Sequence, residues 1–282
     1  MKGTPLVGRA LWGRLLRNRS FVIGALLVLV MVAVAVSADW LTPFDPLKSN
    51  VRARLATPSA VHWFGTDHFG RDILSRVMIG ARISLAIGAL TALLAGIAGT
   101  LSGAIAGYFY HLDQPIMRIM DALMAFPSIV LAMVVSAVLG ASLTNVVIAL
   151  AIATMPHTAR IVRASVLLEK EQEYVSAARS IGAGEMTILF KHVLRNVAGP
   201  LIVRLTYVFA IAVLAEAALS FVGAGPPPPA ASFGSIIAQG RDFMREAPWI
   251  TVFPGVAIII CVLGLNLLGD GLRDVLDPRL KF

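Results

Sequence analysis

Long stretches without an ionisable side chain are the feature that most constrains how this chain can fold. From residue 122 to residue 156 there is no Asp, Glu, Lys, Arg or His, and comparable uncharged runs recur along the sequence. A helix crosses the hydrocarbon core of a bilayer with roughly 20 apolar residues. Charged residues make up only 14% of the chain, whereas an ordinary soluble domain has about 25%. We therefore predict an all-α integral membrane protein.

Six transmembrane helices are expected from these runs. The run 122–156 is too long for one helix, and "GASLTN" at 140–145 supplies a turn that divides it into the third and fourth spans. The second span carries small residues at helical intervals, which would let neighbouring helices approach closely. The first, second, fifth and sixth spans are expected at 21–37, 83–110, 199–222 and 249–269.

The distribution of Lys and Arg predicts the orientation of the chain. The first 20 residues carry five basic side chains and no acid, and basic residues also concentrate in the loop 157–196. Positively charged loops stay in the cytoplasm, so both termini and this loop are expected inside. The net charge of +8 is explained by this topology and by contact with anionic lipid. No basic face with interleaved aromatic residues suggests binding to nucleic acid.

Two loops are expected on the outer, periplasmic side. In the first, "GRDILSRVMIGARISL" has an apolar face typical of a helix at the membrane interface. In the second, four consecutive prolines at 226–229 would be stiff and extended. The expected division is a cytoplasmic segment 1–20, a first transmembrane helix 21–40, an outer loop with interfacial helix 41–81, a core of five transmembrane helices 82–270 that includes the loops 169–196 and 223–248, and a cytoplasmic tail 271–282.

The stretch "EYVSAARSIGAG" at 173–184 is a polar, helix-forming segment between apolar runs. Its apolar residues recur at i, i+3, i+4 and i+7, and Gly182 follows in the position of a left-handed helix cap. A second amphipathic helix is expected directly after it. The pattern fits either a surface hairpin of the membrane domain or a small-residue face that enters the groove of another protein, with Glu173 next to it as an anchor for a basic partner. The apolar face consists of Tyr174, Ala177, Ala178 and Ile181.

Sequence motifs for enzymatic chemistry are missing. The chain has no G-x-x-x-x-G-K-[ST] phosphate-binding loop, and no H-E-x-x-H or G-x-S-x-G motif. His62, Asp67 and His68 lie close in sequence, but their spacing matches no standard zinc pattern, and turn structure is the simpler explanation. We therefore predict that this chain is not an enzyme and binds no cofactor or metal.

Two acidic residues are candidates for a substrate path because charges in apolar surroundings are costly. Glu216 is expected in the outer half of the fifth span, and Asp121 at the inner start of the third. The alternative is local hydrogen bonding for Glu216, and pairing with Arg118 or Arg204 for Asp121. The arginines at 160 and 163 are expected to reach the membrane interface with their long side chains.

Several segments resemble the permeases of bacterial ABC importers. The pattern of Glu173, Ala177, Ala178 and Gly182 in "EYVSAARSIGAGEMTILFKHVLRN" is similar to the coupling loop of these permeases. "FGTDHFGRDILSRVMIGARISL", "APWITVFPG" and the tail "NLLGDGLRDVLDPRL" resemble the dipeptide, oligopeptide and nickel branch, specifically its C-type subunit. One departure is Arg195, where the family often has proline, and it bears only on how the second helix of the loop ends.

The resemblance implies a type I importer fold and a set of partners. The residues Glu173 to Gly182, with Tyr174 and Ile181 among them, would dock on a cytoplasmic ATPase subunit. The transporter would contain two such subunits, which bind ATP and Mg. The outer loops would face a periplasmic or lipid-anchored substrate-binding protein, and a second, B-type permease would complete the path for dipeptides or oligopeptides. Nickel, glutathione or opines are alternative substrates, and a stand-alone secondary carrier is the alternative from a different class.

Overall fold

The computed structural model describes residues 13–227 and 229–276. Five of its helices are long and apolar enough to cross a membrane, and a bent pair brings the number to six when the pair counts as one span. Nine helices organise the described part of the chain. They are α1 Arg19–Leu41, α2 Ile73–Tyr108, α3 Tyr110–Met124, α4 Ser128–Leu139, α5 Leu143–Glu169, α6 Glu173–Ser180, α7 Glu185–Phe221, α8 Phe233–Gly240 and α9 Trp249–Leu276.

The all-α prediction with six spans is confirmed, although the third span differs from its expected form. It consists of α3 and α4, which meet at an angle of 91°, whereas the sequence predicted one helix beginning near residue 122. Pro127 causes the break, because it has no N–H to donate and disfavours helical backbone at the residue before it. The 12 residues of α4 extend only about 18 Å, so α4 alone cannot cross the bilayer.

Helices α2 and α5 form the centre of the bundle and pack along a row of glycines. A Cβ atom added to Gly103 would lie 2.3 Å from the carbonyl oxygen of Ala159, and one added to Gly99 would lie 2.8 Å from Thr158. Gly107 approaches the backbone of Arg163 in the same way. The expected close approach of helices at the small residues of the second span is therefore confirmed.

Helix α1 lies against α9 on the outside of this centre. A Cβ atom on Gly24 would lie 2.3 Å from the backbone nitrogen of Leu268, so the two backbones touch. The Asn18 side chain caps α1 by accepting a hydrogen bond from the backbone N–H of Phe21 at 2.9 Å. The basic residues at 2 and 9, which contributed to the predicted orientation, lie outside the described residues, as do residues 277–282 of the tail.

The predicted interfacial helix is the beginning of α2, which runs without a break to Tyr108. Asp72 caps this helix by accepting from the backbone N–H of Ser75 at 2.8 Å. The side chains of Ile73 and Arg76 are buried, so this segment packs beneath the loop that precedes it. The described prolines of the run 226–229 are outside any helix, as expected, and residue 228 is outside the described part.

The two connections 42–72 and 222–248 lie together at one end of the bundle, which we call the outer end. The segment that contains α6 lies at the opposite, inner end. The guanidinium groups of Arg71 and Arg76 both donate to the Oε1 atom of Gln239, at 2.8 and 3.0 Å. The indole N–H of Trp249 donates to the carbonyl of Thr66 at 3.0 Å. These bonds join the two connections into one structure.

Candidate functional site

A knob of residues 170–190 projects from the inner end of the bundle between α5 and α7. Its helix α6 buries Val175 and Ala178, and these side chains pack against Val166 of α5 and Ile188 and Val193 of α7. The residues 188–193 form a π-helical segment within α7. The second helix of the predicted hairpin is therefore the start of the fifth span itself.

The predicted apolar face of α6 is divided in the structure. Ala178 faces the bundle and Tyr174 is partly buried, but Ala177 is exposed and Ile181 keeps 85% of its surface accessible. The four residues of the expected apolar face are thus divided between the bundle and the exposed side, and Val175 takes the central place in the contact with α7. Gly182 has φ +83°, which confirms the expected left-handed cap.

The knob carries several exposed apolar side chains. Besides Ile181 and Ala177, Met186 is 58% exposed and Phe190 is 50% exposed. Apolar groups that face solvent together mark a surface that another molecule covers. The knob thus has an inner face that attaches it to the bundle and an outer face that no other described residue of this chain covers.

Hydrogen bonds tie the knob to three transmembrane helices. Arg179 donates to both carboxylate oxygens of Glu185, at 2.9 and 3.1 Å, and Tyr108 of α2 donates to the same carboxylate. Tyr174 donates to Glu169 at the end of α5, at 2.6 Å. Burial and the hydrogen bond to Glu169 raise the pKa of the Tyr174 phenol above its usual value. A displacement of the knob is therefore transmitted to the inner ends of α2, α5 and α7.

A groove follows one stripe of α7 at a spacing of three or four residues. Its inner part is a cavity of about 860 Å³ between α5, α7 and α9. Polar side chains, including Asn196, Arg204 and Tyr207 of α7 and Asn266 of α9, line much of this cavity. The cavity lies at the inner ends of these three helices, which is the end of the bundle at which the knob lies.

The outer part of the same stripe borders a second cavity of about 370 Å³. It lies between α4, α5 and α7, and Ile211, Leu214 and Phe221 of α7 contribute apolar walls. Leu214 and Phe221 are 54% and 41% exposed. The two cavities thus follow one another along the same stripe of α7.

The candidate Asp121 lies on the inner part of the bent third span and is not among the residues that line either cavity. It accepts a hydrogen bond from Arg160 of α5 at 2.6 Å. The prediction that Asp121 pairs with Arg118 or Arg204 was therefore wrong, because the bend brings α3 against α5. Arg163 similarly forms a bidentate pair with Asp113 of α3, so neither arginine is simply extended to the membrane interface.

The candidate Glu216 is fully buried inside the bundle, away from the groove. It accepts hydrogen bonds from Ser220 and Ser232, both at 2.7 Å, and from Ser84 of α2 at 3.4 Å. The predicted local hydrogen bonding is confirmed. The carboxylate joins α2 and α7 to the loop that precedes α8.

Comparison with known proteins identifies the family to which this helical bundle belongs. The profile of the family described as "Binding-protein-dependent transport system inner membrane component" matches residues 96–282. A second profile, of the N-terminal transmembrane domain of oligopeptide transport permease C, matches residues 7–58. The chain belongs to the binding-protein-dependent permease family.

Relatives of this permease agree with that assignment. It is 54% identical over 268 residues to a provisionally named peptide transport system permease of Brucella abortus, with 95% of this chain and 90% of the relative covered. A dipeptide transport system permease of Alkalihalophilus pseudofirmus is 42% identical, with 97% and 90% covered. A glutathione transport system permease of Pectobacterium atrosepticum is 43% identical, with 97% and 91% covered. The permease is thus a multi-pass subunit of an ABC importer of the bacterial inner membrane, and the resemblance seen in the sequence is confirmed.

The fold of the permease is also that of a solved importer. A chain of the MetNI methionine ABC transporter, solved in inward-facing conformations, aligns with a TM-score of 0.59 and 22% identity, covering 72% of the permease and 96% of that chain. At this level of identity the likeness concerns the fold alone. It confirms the predicted type I architecture.

The histidines of the outer end of the permease have protein partners. The Nδ1 atom of His62 lies 2.9 Å from Asp72, and His68 stacks on Phe243. In the described ranges, no three His, Cys, Asp or Glu side chains come together as metal ligands.

Asp67 is the central acid of the outer end. It accepts a hydrogen bond from Nε of Arg71 at 2.7 Å and another from Arg76. Burial by itself would raise the pKa of Asp67, but the charges of the two arginines and the backbone N–H of Arg71 hold it below its usual value. Its role is to hold the outer loop in place.

Proposed function

We propose that the permease pairs with a second, B-type permease and carries dipeptides or oligopeptides across the membrane, driven by two separate ATPase subunits. The names of the relatives support a peptide substrate, and glutathione, itself a tripeptide, belongs to the same chemical class. The observation that carries the coupling mechanism is the knob, whose outer face is apolar and unpartnered while its inner face is bonded to three spans. Such a knob is suited to receive force from another protein.

The residues of the knob have different parts in this mechanism. Ala177 and Ile181 are exposed and would enter a groove on the ATPase, and Glu173 would meet a basic group there. Tyr174 and Ala178 face the bundle and would hold α6 in place. Gly182 allows the chain to turn back into α7, because its φ of +83° is costly for a residue with a side chain.

The groove along α7 is proposed as this chain's half of the translocation path, and the second permease would close it. Asp121 is kept as a path candidate, whereas the burial of Glu216 among serines supports a structural role. The outer end would receive a periplasmic or lipid-anchored substrate-binding protein. No ATP or Mg site is proposed on this chain, because the energy would come from the ATPase subunits.

The coupling proposal is tested with charge substitutions on the knob. Ile181→Asp and Ala177→Asp would place a charge in the apolar contact with the ATPase, and Gly182→Val would strain the turn. We expect each variant to lose ATP-dependent peptide uptake and to co-purify with less ATPase. Leu16→Asp is the matched control, because Leu16 is also apolar, 65% exposed and near the inner end. Undiminished uptake by the knob variants would contradict the proposal and favour a carrier that works alone.

A further inference from the structure

Arg204 is a partly buried arginine on the groove stripe of α7. It borders the inner cavity of about 860 Å³. Its Nε atom lies 3.5 Å from the hydroxyl of Thr158, at the limit of a hydrogen bond. Its guanidinium carbon lies 5.4 Å from the ring centre of Tyr207, a cation–π arrangement that limits the orientations of the group.

Among the described residues, no carboxylate lies within ion-pair distance of Arg204. The neighbouring arginines of α5 differ in this respect, because Arg160 is paired with Asp121 and Arg163 with Asp113. An ionisable group within a membrane bundle is costly and is usually paired or functional. Within the described residues, the bundle thus neutralises Arg160 and Arg163 but leaves the guanidinium of Arg204, which borders the cavity, without a carboxylate.

The cavity that Arg204 borders contains charges of both signs. Glu169, Asp270 and Arg273 also line it, and Glu169 accepts a hydrogen bond from Tyr174 at 2.6 Å. Among the described residues, none of these acids forms an ion pair with Arg204. A carboxylate that enters the cavity beside Arg204 would therefore meet a guanidinium without a carboxylate partner.

We infer that Arg204 binds the carboxylate of the peptide in transit. This inference rests on the proposed function, which makes the groove a peptide path. The planar guanidinium matches a carboxylate in two parallel hydrogen bonds. Every linear peptide has a C-terminal carboxylate whatever its sequence, so one arginine serves many substrates. The apolar outer part of the groove, with Ile211 and Leu214, leaves room for side chains of varied shape.

The test compares a peptide acid with its amide. Wild-type and Arg204→Gln transporters, complete with their partner subunits, are reconstituted in proteoliposomes, and ATP-dependent uptake of trialanine and trialanine amide is measured at saturating binding protein. The same binding protein delivers both peptides to both transporters, so its own preference cancels between the two acid-to-amide ratios. We expect the ratio of acid uptake to amide uptake to be about tenfold lower in Arg204→Gln than in the wild type, which is the effect of losing one charge-assisted hydrogen-bonded pair.

Two further variants separate binding from structure. Arg204→Lys keeps the charge without the planar fork and should retain part of the preference for the acid. Arg17→Gln removes an exposed charge on the same side of the membrane and should leave the ratio unchanged. Equal losses for acid and amide in Arg204→Gln would overturn the inference, and would indicate an acid of the second permease or a lipid phosphate as the counter-ion.

If the Arg204→Gln transporter does not assemble, the inference can be tested on the wild-type protein. Trialanine analogues with a diazirine in either the first or the last residue are trapped during turnover and cross-linked. The C-terminal label should mark α7 between Pro200 and Tyr207 more than the N-terminal label does. Equal marking by the two labels would refute the inference. Absence of any ATP-dependent uptake by the wild type would instead refute the proposed function.

Discussion

The close contact between α2 and α5 predicts a measurable cost for one added methyl group. In Gly103→Ala the new Cβ would lie 2.3 Å from the carbonyl oxygen of Ala159, where ordinary contact begins at 3.4 Å. The two helices would have to separate by about 1 Å at this contact, near the inner end of α2. Overpacking of this kind costs about 1–3 kcal/mol, and the better helix propensity of alanine returns roughly 0.5–1 kcal/mol. We expect a net loss of about 1–2 kcal/mol.

The single cysteine of the chain provides the assay. Cys261 lies in α9 and is 1% exposed, so a thiol-reactive fluorophore labels it only when the bundle opens. The assembled transporter, with partner subunits that lack cysteine, is heated in the presence of the dye. A loss of about 1–2 kcal/mol should lower the unfolding midpoint of Gly103→Ala by a few degrees.

Gly255→Ala is the matched control for this prediction. Gly255 is also a glycine within a spanning helix, but a Cβ atom there would meet nothing within 4 Å. Its midpoint should stay the same or rise slightly, because alanine is the better helix former. If the two variants unfold at the same temperature, the close approach of α2 and α5 does not limit stability and the reasoning is refuted.

Three other predictions concern the outer end and use the same thermal assay. Asp67→Asn should cost roughly 3–5 kcal/mol because it leaves Arg76 buried without its charge partner, whereas Asp242→Asn, in an exposed pair, should change stability by less than about 0.5 kcal/mol. An equal effect of both would contradict the burial argument. The pKa of Asp67 is lowered from its ordinary value of 3.8, so the contribution of Asp67 to stability should be complete above pH 3.8 and should be lost as the pH falls through the lowered pKa. In acid, the midpoint of the wild type should therefore approach that of Asp67→Asn, and a constant difference between the two midpoints at every pH would contradict the argument. Leu55→Gly should lower the midpoint. The strain relieved at φ +53°, about 1 kcal/mol, is smaller than the loss of the Leu55 packing against the core together with the flexibility that glycine adds to the unfolded chain, and a higher midpoint would show that the strain outweighs both.

Local patterns were sufficient to predict the spans and the turn of the knob. The uncharged runs determine where helices can cross a bilayer, because a single ionisable residue in hydrocarbon is costly wherever the helix packs. The left-handed turn at Gly182 and the close contacts at Gly103 also follow from what glycine alone can do. The bend at Pro127 was missed, although proline was its signal, because the absence of charge around it suggested an uninterrupted span.

The sequence by itself therefore determined the membrane class, the number of spans, the family resemblance and the position of the knob. Only the tertiary structure decided that Asp121 pairs with Arg160, that Val175 takes the buried place on α6, and that Arg204 has no ion-pair partner among the described residues. The physical reason is that hydrophobic periodicity describes one helix at a time. Ion pairs and grooves depend on the rotation and depth at which separate helices meet, and these are set by contacts between residues far apart in the chain.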